Sequence, residues 1–130
     1  MLVHNILRQY KGTDGIAIAL AEAVSGNAEM NLDDAALAVV ANHQYHIAIT
    51  RANLQSLCFQ ASGPVTVYTN AISSGSPTDT IPLTTGQTLI WTLAADTITK
   101  CPFSADVTTI YVTNAGSGPV TFKMRAVVNQ

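Results

Sequence analysis

Residues 52–68 read ANLQSLCFQASGPVTVY, and residues 105–123 read ADVTTIYVTNAGSGPVTFK. Both stretches start with Ala and an Asn or Asp, continue through a short run of β-forming residues, and then reach an identical Ser-Gly-Pro-Val-Thr. We call them repeat 1 and repeat 2. Pro64 and Pro119 lack a backbone N–H and therefore belong at the first residue of a strand or at a sheet edge. Each repeat is thus predicted to form two short strands joined by a turn, as one hairpin used twice.

The turns and the strands after them follow the same plan in both repeats. Gly63, Gly116 and Gly118 can adopt the positive φ that a tight connection needs, and we expect it there. After each proline, Val-Thr-Val-Tyr and Val-Thr-Phe-Lys alternate with the period of two that places successive side chains on opposite faces of a sheet. We therefore predict two equivalent hairpins within one double-layered β domain.

Further short strands are indicated along the rest of the chain. Residues 16–24 alternate larger residues with alanines, which favours a strand by period and a helix by alanine content; we predict a strand. Asp33 and Asp34 open a connection through residues 35–40, either a loop or a helical turn. The other predicted strands are residues 28–32, residues 44–51 with Tyr45, Ile47 and Ile49 on one face, and residues 80–83 joined to residues 87–93. About eight short strands with Gly/Pro turns between them predict an all-β fold, an antiparallel β-sandwich or jelly roll.

Length and charge limit the possible classes of function. The 130 residues are predicted to form a single β-sandwich domain, residues 13–130, preceded by an N-terminal arm, residues 1–12. Only 11% of the residues are charged, against about 25% in an average soluble domain. This shortage favours a surface covered in an assembly over a secreted β domain rich in Thr and Ser. The net charge of −2 and the scattered basic residues argue against nucleic-acid binding. The apolar run at residues 16–24 is too short to cross a membrane.

The N-terminal arm is the predicted contact site. Its apolar and basic side chains are Leu2, Val3, Ile6, Leu7, Arg8, Tyr10 and Lys11. The apolar members present more surface than a free terminus should expose to water, while Arg8 and Lys11 offer charge-assisted contacts at the rim. We expect these residues to contact another chain. The alternative is an arm that packs on its own domain.

The sequence contains no familiar catalytic, cofactor-binding or metal-binding motif. Phosphate-binding glycine loops, the nucleophile elbow and the His-Glu-x-x-His zinc motif are all missing, so we expect neither enzyme activity nor a cofactor. His43 and His46 are three residues apart on a predicted strand and point to opposite faces, so they cannot easily share a metal ion. Asp33 and Asp34 are too few for a calcium site and fit a helix N-cap or a solvated turn.

The cysteines and the single tryptophan also have a structural interpretation. Cys58 lies within a strand of repeat 1 without the local signature of a thiol protease, and is predicted to be a core or sheet-face residue. Cys58 and Cys101 are expected to remain unbridged thiols, because a chain of this size needs no disulfide framework. Trp91 with Tyr45, Tyr68 and Tyr111 could line a sugar site, but one Trp and few Tyr favour a core role.

The sequence from Val65 onward resembles a known class of proteins. The segments VTVYTN at 65–70, SGSPTDTIPLTTGQTLIWT at 74–92 and ADVTTIYVTNA at 105–115 carry the resemblance. They are similar to small virion proteins of tailed bacteriophages, which decorate or cement the outside of the capsid. The resemblance covers about residues 25–128 and leaves out the N-terminal arm.

The resemblance implies a function in binding. Such proteins bridge neighbouring capsid subunits, so the implied partners are a phage major capsid protein and further copies of this chain, as a dimer or trimer. The implied location is the capsid exterior, after synthesis in the host bacterial cytoplasm. Two other classes remain open. A carbohydrate-binding or host-attachment module would present an aromatic platform around Trp91 or Tyr68, and a jelly-roll enzyme would need more converging His and carboxylate residues than the sequence offers.

Overall fold

The chain folds almost entirely into β-strands. The computed structural model describes residues 2–11, 13, 15, 17–85, 87–94, 96 and 98–130, with the backbone alone at residues 10, 11, 17 and 20. Within those residues the chain forms ten strands and one short 3-10 helix, Arg51–Asn53. The strands are β1 Leu2–Lys11, β2 Ala17–Gly26, β3 Ala28–Leu37, β4 Val40–Ile49, β5 Leu54–Ala61, β6 Val65–Thr69, β7 Thr80–Leu83, β8 Thr88–Thr92, β9 Val107–Asn114 and β10 Val120–Val128.

Eight of these strands form a sandwich of two antiparallel sheets. Sheet I has the strand order β3-β10-β5-β8, and sheet II has the order β4-β9-β6-β7. Except between β6 and β7, every connection from β3 to β10 crosses from one sheet to the other. This winding is that of a jelly roll. The predicted fold class, an antiparallel β-sandwich or jelly roll of about eight strands, is confirmed.

The two repeats occupy equivalent places, but neither is a hairpin. Repeat 1 supplies β5 to sheet I and β6 to sheet II, while repeat 2 supplies β9 to sheet II and β10 to sheet I. β5 pairs with β10, where Phe59 lies opposite Met124, and β6 pairs with β9, where Val67 lies opposite Val112. The strands of each repeat therefore pair with those of the other repeat. The hairpin prediction is wrong because each Ser-Gly-Pro connection crosses between the two sheets.

Contacts at the first connection show why it needs glycine. A Cβ atom on Gly63 would lie 2.6 Å from Cγ1 of Val120, so only a residue without a side chain fits beside the start of β10. Next to it, the backbone N–H of Ser62 donates to the Thr121 carbonyl at 3.0 Å, and the N–H of Thr121 donates to Ser62 Oγ at 2.8 Å. The expected positive φ is wrong at all three repeat glycines, since Gly15 is the positive-φ glycine among the described residues. The requirement at Gly63 is close approach.

Side chains from both sheets fill the space between them. The Phe59 ring lies edge-on to the ring of Phe103 at a centroid distance of 6.0 Å, and is stacked 6.1 Å from the ring of Phe122. Trp91 is 6% exposed, and its indole Nε1–H donates to the Thr99 carbonyl at 3.2 Å. The predicted core role of Trp91 is therefore confirmed.

β3 contradicts the prediction for the two adjacent aspartates. The strand continues through Asp33 and Asp34, and β3 and β4 together occupy most of residues 35–40, so the helical turn considered there is wrong. Asp33 Oδ2 accepts a hydrogen bond from Arg125 at 2.7 Å, and Asp34 Oδ2 accepts one from the Tyr45 hydroxyl at 3.0 Å. The expected helix N-cap or solvated turn is also wrong, because partners on neighbouring strands take up both carboxylates.

The strands predicted before and after Asp33 and Asp34 agree better with the structure. β2 confirms a strand at residues 16–24 over the described part of that range, although Ile16 lies outside the described residues. β4 starts four residues before the predicted strand at residues 44–51, and Arg51 belongs to the 3-10 helix. Ile47 and Ile49 are buried, as the predicted shared face requires.

β1 and β2 form a separate two-stranded unit, the N-terminal hairpin. They pair antiparallel from Leu2 opposite Gly26 to Lys11 opposite Ala17. The hairpin lies on the outer face of sheet I, where β2 packs against β5 and β10. The arm predicted for residues 1–12 is thus one strand of a unit that continues to Gly26.

Candidate interaction surface on the N-terminal hairpin

The two faces of the hairpin differ in exposure because side chains alternate along its strands. Arg8 and Ile6 of β1 are partly buried against sheet I. Val3 and Leu7 point away from the sandwich and are 48% and 67% exposed. We call the side that points away the outer face; its members in the two strands are Val3, Asn5, Leu7, Gln9, Ala19, Ala21, Ala23 and Ser25. These residues carry no charge, so the face combines aliphatic and neutral polar groups.

A cluster of polar side chains, the latch, holds the inner side of the hairpin to the end of β8. The Arg8 guanidinium donates two hydrogen bonds to the Asp96 carboxylate, both at 2.8 Å. It also donates to Glu22 Oε2 at 3.2 Å and to Thr92 Oγ1 at 3.1 Å. Thr92 in turn donates its backbone N–H to Asp96 at 2.7 Å and its hydroxyl to Glu22 at 2.9 Å. One cation therefore joins two carboxylates from separate parts of the chain.

The two carboxylates of the latch are largely shielded from water, which strengthens the charge-assisted bonds that they accept. The side chains of Asp96 and Glu22 are each 12% exposed, and that of Arg8 is 27% exposed. Its hydrogen bond to Asp96 is the main cause that raises the pKa of Arg8. The same hydrogen bond is the main cause that holds the pKa of the Asp96 carboxyl below its usual range. Both groups are therefore charged at neutral pH.

A small apolar layer supports the hairpin beside the latch. Val127 of β10 is fully buried, yet it lies outside the main core. Gly26, at the end of β2, approaches it so closely that a Cβ atom would lie 2.4 Å from Val127 Cγ1. Ser56 of β5 is also buried on this side of sheet I. His4 Nε2 contacts the Glu29 carboxylate, and this hydrogen bond is the main cause that lowers the pKa of Glu29.

A groove of about 560 Å³ remains between the hairpin and sheet I. Its lining includes Ile6, Ile90, Cys58, Glu29 and Arg125. The groove contains a thiol and a carboxylate, which could suggest nucleophilic chemistry. However, burial raises the pKa of the Cys58 thiol, and it is the thiolate that acts as a nucleophile. The raised pKa disfavours this chemistry at Cys58.

The predicted contact residues divide between the two sides of β1. Val3 and Leu7 lie on the outer face, and Leu2, at the start of the strand, is 37% exposed. Ile6 faces the groove. The Arg8 guanidinium was expected to pair with a partner at the rim, but Asp96 and Glu22 of its own chain occupy it. Tyr10 and Lys11 pair with Ile18 and Ala17 through the backbone, and their side chains lie outside the described part of the structure.

The end of the hairpin extends beyond its support. Arg8 already reaches β8, which is the edge strand of sheet I. Past Arg8, every side chain that the structure describes up to Ala19 is exposed. Ile18, on the side that would face the sandwich, is 71% exposed. The tip therefore offers apolar surface at Ile18, on its inner side.

Three partners of Arg8 in the latch, and the exposure of Ile18, were not predicted from the sequence. Glu22 interrupts an otherwise apolar alternation, and such an isolated charge was the available signal for a paired carboxylate. Thr92 and Asp96 carried no comparable signal. Arg8 and Asp96 are 88 residues apart in sequence, so only the folded chain brings them together.

No metal centre is formed by the described residues. Among them, no three His, Cys, Asp or Glu side chains lie close enough together to hold an ion. In the register with β9, His43 lies opposite Val112, which is buried, and His46 lies opposite Thr109. The two histidines therefore point to opposite faces, as predicted. Both cysteines are free. Within the described residues, no helix has the length and apolar character needed to cross a lipid bilayer.

Comparison with known proteins gives one likeness of fold. No protein-family model matches the chain, and no curated protein matches it. Among solved structures, the chain is similar to a de novo designed double-stranded β-helix determined by solution NMR, with 16% sequence identity and a TM-score of 0.40. The match covers 77% of this chain and 99% of the designed chain.

Proposed function

We propose that this protein is a structural virion protein that binds the outside of a tailed-bacteriophage capsid and stabilises contacts between major capsid subunits. The outer face of the N-terminal hairpin is the observation that carries the proposal. Leu7 and Val3 are 67% and 48% exposed on a face without charge. Apolar side chains grouped in this way are typical of surfaces that another protein covers. The resemblance of residues 65–115 to phage decoration proteins gives that partner its class.

Energetics support a binding role in a symmetric shell. Covering apolar surface contributes about 25 cal/mol per Å², from which the costs of association must be subtracted. One hairpin offers a narrow strip, so a single contact would be weak. A capsid presents many equivalent sites, and linked copies convert weak contacts into stable attachment. The proposed partners are therefore the major capsid protein and further copies of this chain.

Particles of the phage that encodes the chain provide the test. We expect mass spectrometry of purified particles to find the chain in a fixed ratio to the major capsid protein. On particles stripped of the chain, we expect Leu7→Asp to weaken rebinding at least tenfold, because it places a charge on the outer face. Ser74→Asp adds the same charge to an exposed loop and should rebind normally. Particles without the chain, or unchanged rebinding of folded Leu7→Asp, would contradict the proposal.

A carbohydrate-binding or host-attachment module is the second candidate, and one observation favours it. Tyr68 lies directly opposite Tyr111 on the outer side of sheet II, beside a shallow cavity of about 460 Å³. Trp91 is buried, so the platform expected around it is not formed, and the tyrosine pair would have to act alone. Glycan-array binding that is lost in Tyr68→Ala and kept in Leu7→Asp would favour this candidate over the first.

A further inference from the structure

The connection between the hairpin and the sandwich is very short. β2 ends at Gly26 and β3 begins at Ala28, which leaves Asn27 alone between them. Asn27 is held by hydrogen bonds to the C-terminal residues of the chain. Its backbone N–H donates to the Val128 carbonyl at 3.1 Å, and its side chain exchanges hydrogen bonds of 2.8 and 2.7 Å with Gln130. The hairpin is therefore attached to the sandwich through a single-residue hinge.

The backbone at this hinge is also crowded. A Cβ atom on Gly26 would lie 2.6 Å from the Val128 carbonyl oxygen, so the chain passes directly against β10. Glycine can absorb large changes of φ and ψ, as a hinge requires. A short hinge beside a separable element is the arrangement from which identical chains exchange that element.

The hairpin is separable because the main core does not include it. The described residues of that core all come from Ala28 onward. The hairpin is held instead by the latch, by the layer around Val127 and by an interface that leaves the groove of about 560 Å³ open. The sandwich can therefore stay folded when the hairpin leaves, and the same contacts can form with the hairpin of another copy.

From these observations we propose that two copies of this chain exchange their N-terminal hairpins, so that each hairpin docks on sheet I of the other copy. The latch then joins Arg8 and Glu22 of one copy to Thr92 and Asp96 of the other. Exchange turns contacts already present in one chain into an interface between two, without new chemistry. The inference rests on the proposed assembly role of the hairpin and names a second copy as the partner of its inner side.

Charge reversal across the latch distinguishes exchange from docking within one chain. In Arg8→Asp, the hairpin and sheet I both carry a carboxylate at the latch; in Asp96→Arg, both carry a guanidinium. Each variant therefore repels its own hairpin. When the two variants are mixed, exchanged hairpins meet opposite charges at both docking sites. A Glu22→Gln background in both variants removes the remaining carboxylate from the comparison.

The expected result is a heterodimer. Each variant alone should elute as a monomer in size-exclusion chromatography with light scattering. The equimolar mixture, refolded together, should give a species of twice the monomer mass, and native mass spectrometry with one chain isotope-labelled should show one copy of each. The wild type should give mixed-label dimers that disappear when residues 1–26 are deleted. A mixture that stays monomeric, or a wild type that stays monomeric up to about 100 µM after refolding, refutes exchange.

The test of hairpin exchange and the test of binding to particles can fail independently of each other. A wild type that stays monomeric and still binds particles would refute hairpin exchange and leave the decoration role standing. Exchanged dimers that form in solution but are missing from particles would support hairpin exchange and contradict the decoration role.

Discussion

Replacing Arg8 with Met should release the N-terminal hairpin from sheet I and leave the sandwich folded. Met keeps much of the aliphatic stem but removes the guanidinium that bonds Asp96 twice at 2.8 Å. Asp96 and Glu22, each 12% exposed, would then share the site without a cation. The effect should be confined to the hairpin, because the main core lies from Ala28 onward.

The magnitude follows from the geometry of the latch. Hydrogen bonds to charged groups contribute about 1.5–3 kcal/mol, and breaking a buried ion pair costs about 3–5 kcal/mol. Arg8 keeps 27% of its side-chain surface exposed, so water compensates part of the loss. We therefore expect docking of the hairpin to weaken by about 2–3 kcal/mol, or about 30- to 140-fold in its opening equilibrium.

Hydrogen exchange followed by mass spectrometry measures this opening directly. Peptides from β1 and β2 should lose protection in Arg8→Met, while peptides from β5 and β10 should keep it. Lys123→Met is a suitable control, because it also removes a cation, but from an exposed residue of β10 that does not line the groove. Surface substitutions of this kind change stability by about 0.5 kcal/mol or less. Unchanged protection of β1 in Arg8→Met, or equal loss of protection in β5, would refute the reasoning.

The pH dependence gives a second measurement of the latch. The pKa of Asp96 is lower in the folded protein, chiefly because Arg8 donates hydrogen bonds to its carboxylate. A lowered carboxyl pKa stabilises docking above the unfolded value of about 3.9, and the stabilisation is lost as pH falls through the folded value. Protection of β1 in the wild type should therefore decrease as the solution is acidified from about pH 5 to pH 2. Arg8→Met should lose the part of this dependence that comes from Asp96 and keep the part from Glu29, whose pKa the His4 contact lowers.

Two further predictions concern the sandwich and the thiols. Gly63→Ala should destabilise the fold by about 1–3 kcal/mol in chemical denaturation, because its Cβ would lie 2.6 Å from Val120 Cγ1. Gly118→Ala meets open space and should change stability by less than about 0.5 kcal/mol; equal losses in both variants would contradict the close-approach argument. Cys58 and Cys101 should give two reactive groups in denaturant without reductant, and react slowly in the native protein because burial raises both pKa values. Finding no thiols would disprove this assignment.

Local sequence signals predicted where the strands lie but not how the repeats pair. Ser-Gly-Pro-Val-Thr marks a turn and the first residues of a new strand in both repeats, and the strands begin at Val65 and Val120. The same five residues do not show which sheet the new strand joins. That choice depends on β10 lying beside β5 and on β9 lying beside β6, strands that are far apart in the sequence. The predicted hairpins failed for this reason, while their equivalence held.

The charged residues of β3 and of the latch also have partners that the local sequence does not predict. Asp33 and Asp34 have low β propensity and suggest a turn, yet contacts with Arg125 and Tyr45 accommodate them in a strand. Burial, and then the hydrogen bond to Asp34, raise the pKa of Tyr45, so its hydroxyl remains a donor. Partners such as these are set by tertiary contacts, and short-range patterns do not reveal them.

The outer face of the hairpin is the feature that folding alone does not require. Leu7 faces away from the sandwich and is 67% exposed, and the main core is filled by residues from Ala28 onward. A charged side chain at position 7 would therefore cost the isolated domain little stability, and would improve its solubility in a chain with only 11% charged residues. An aliphatic residue there, together with the exposed Val3 of the same face, makes sense if a second surface covers them. Hairpin exchange would use the inner side of the same element, which leaves the outer face of each hairpin free to bind a capsid subunit.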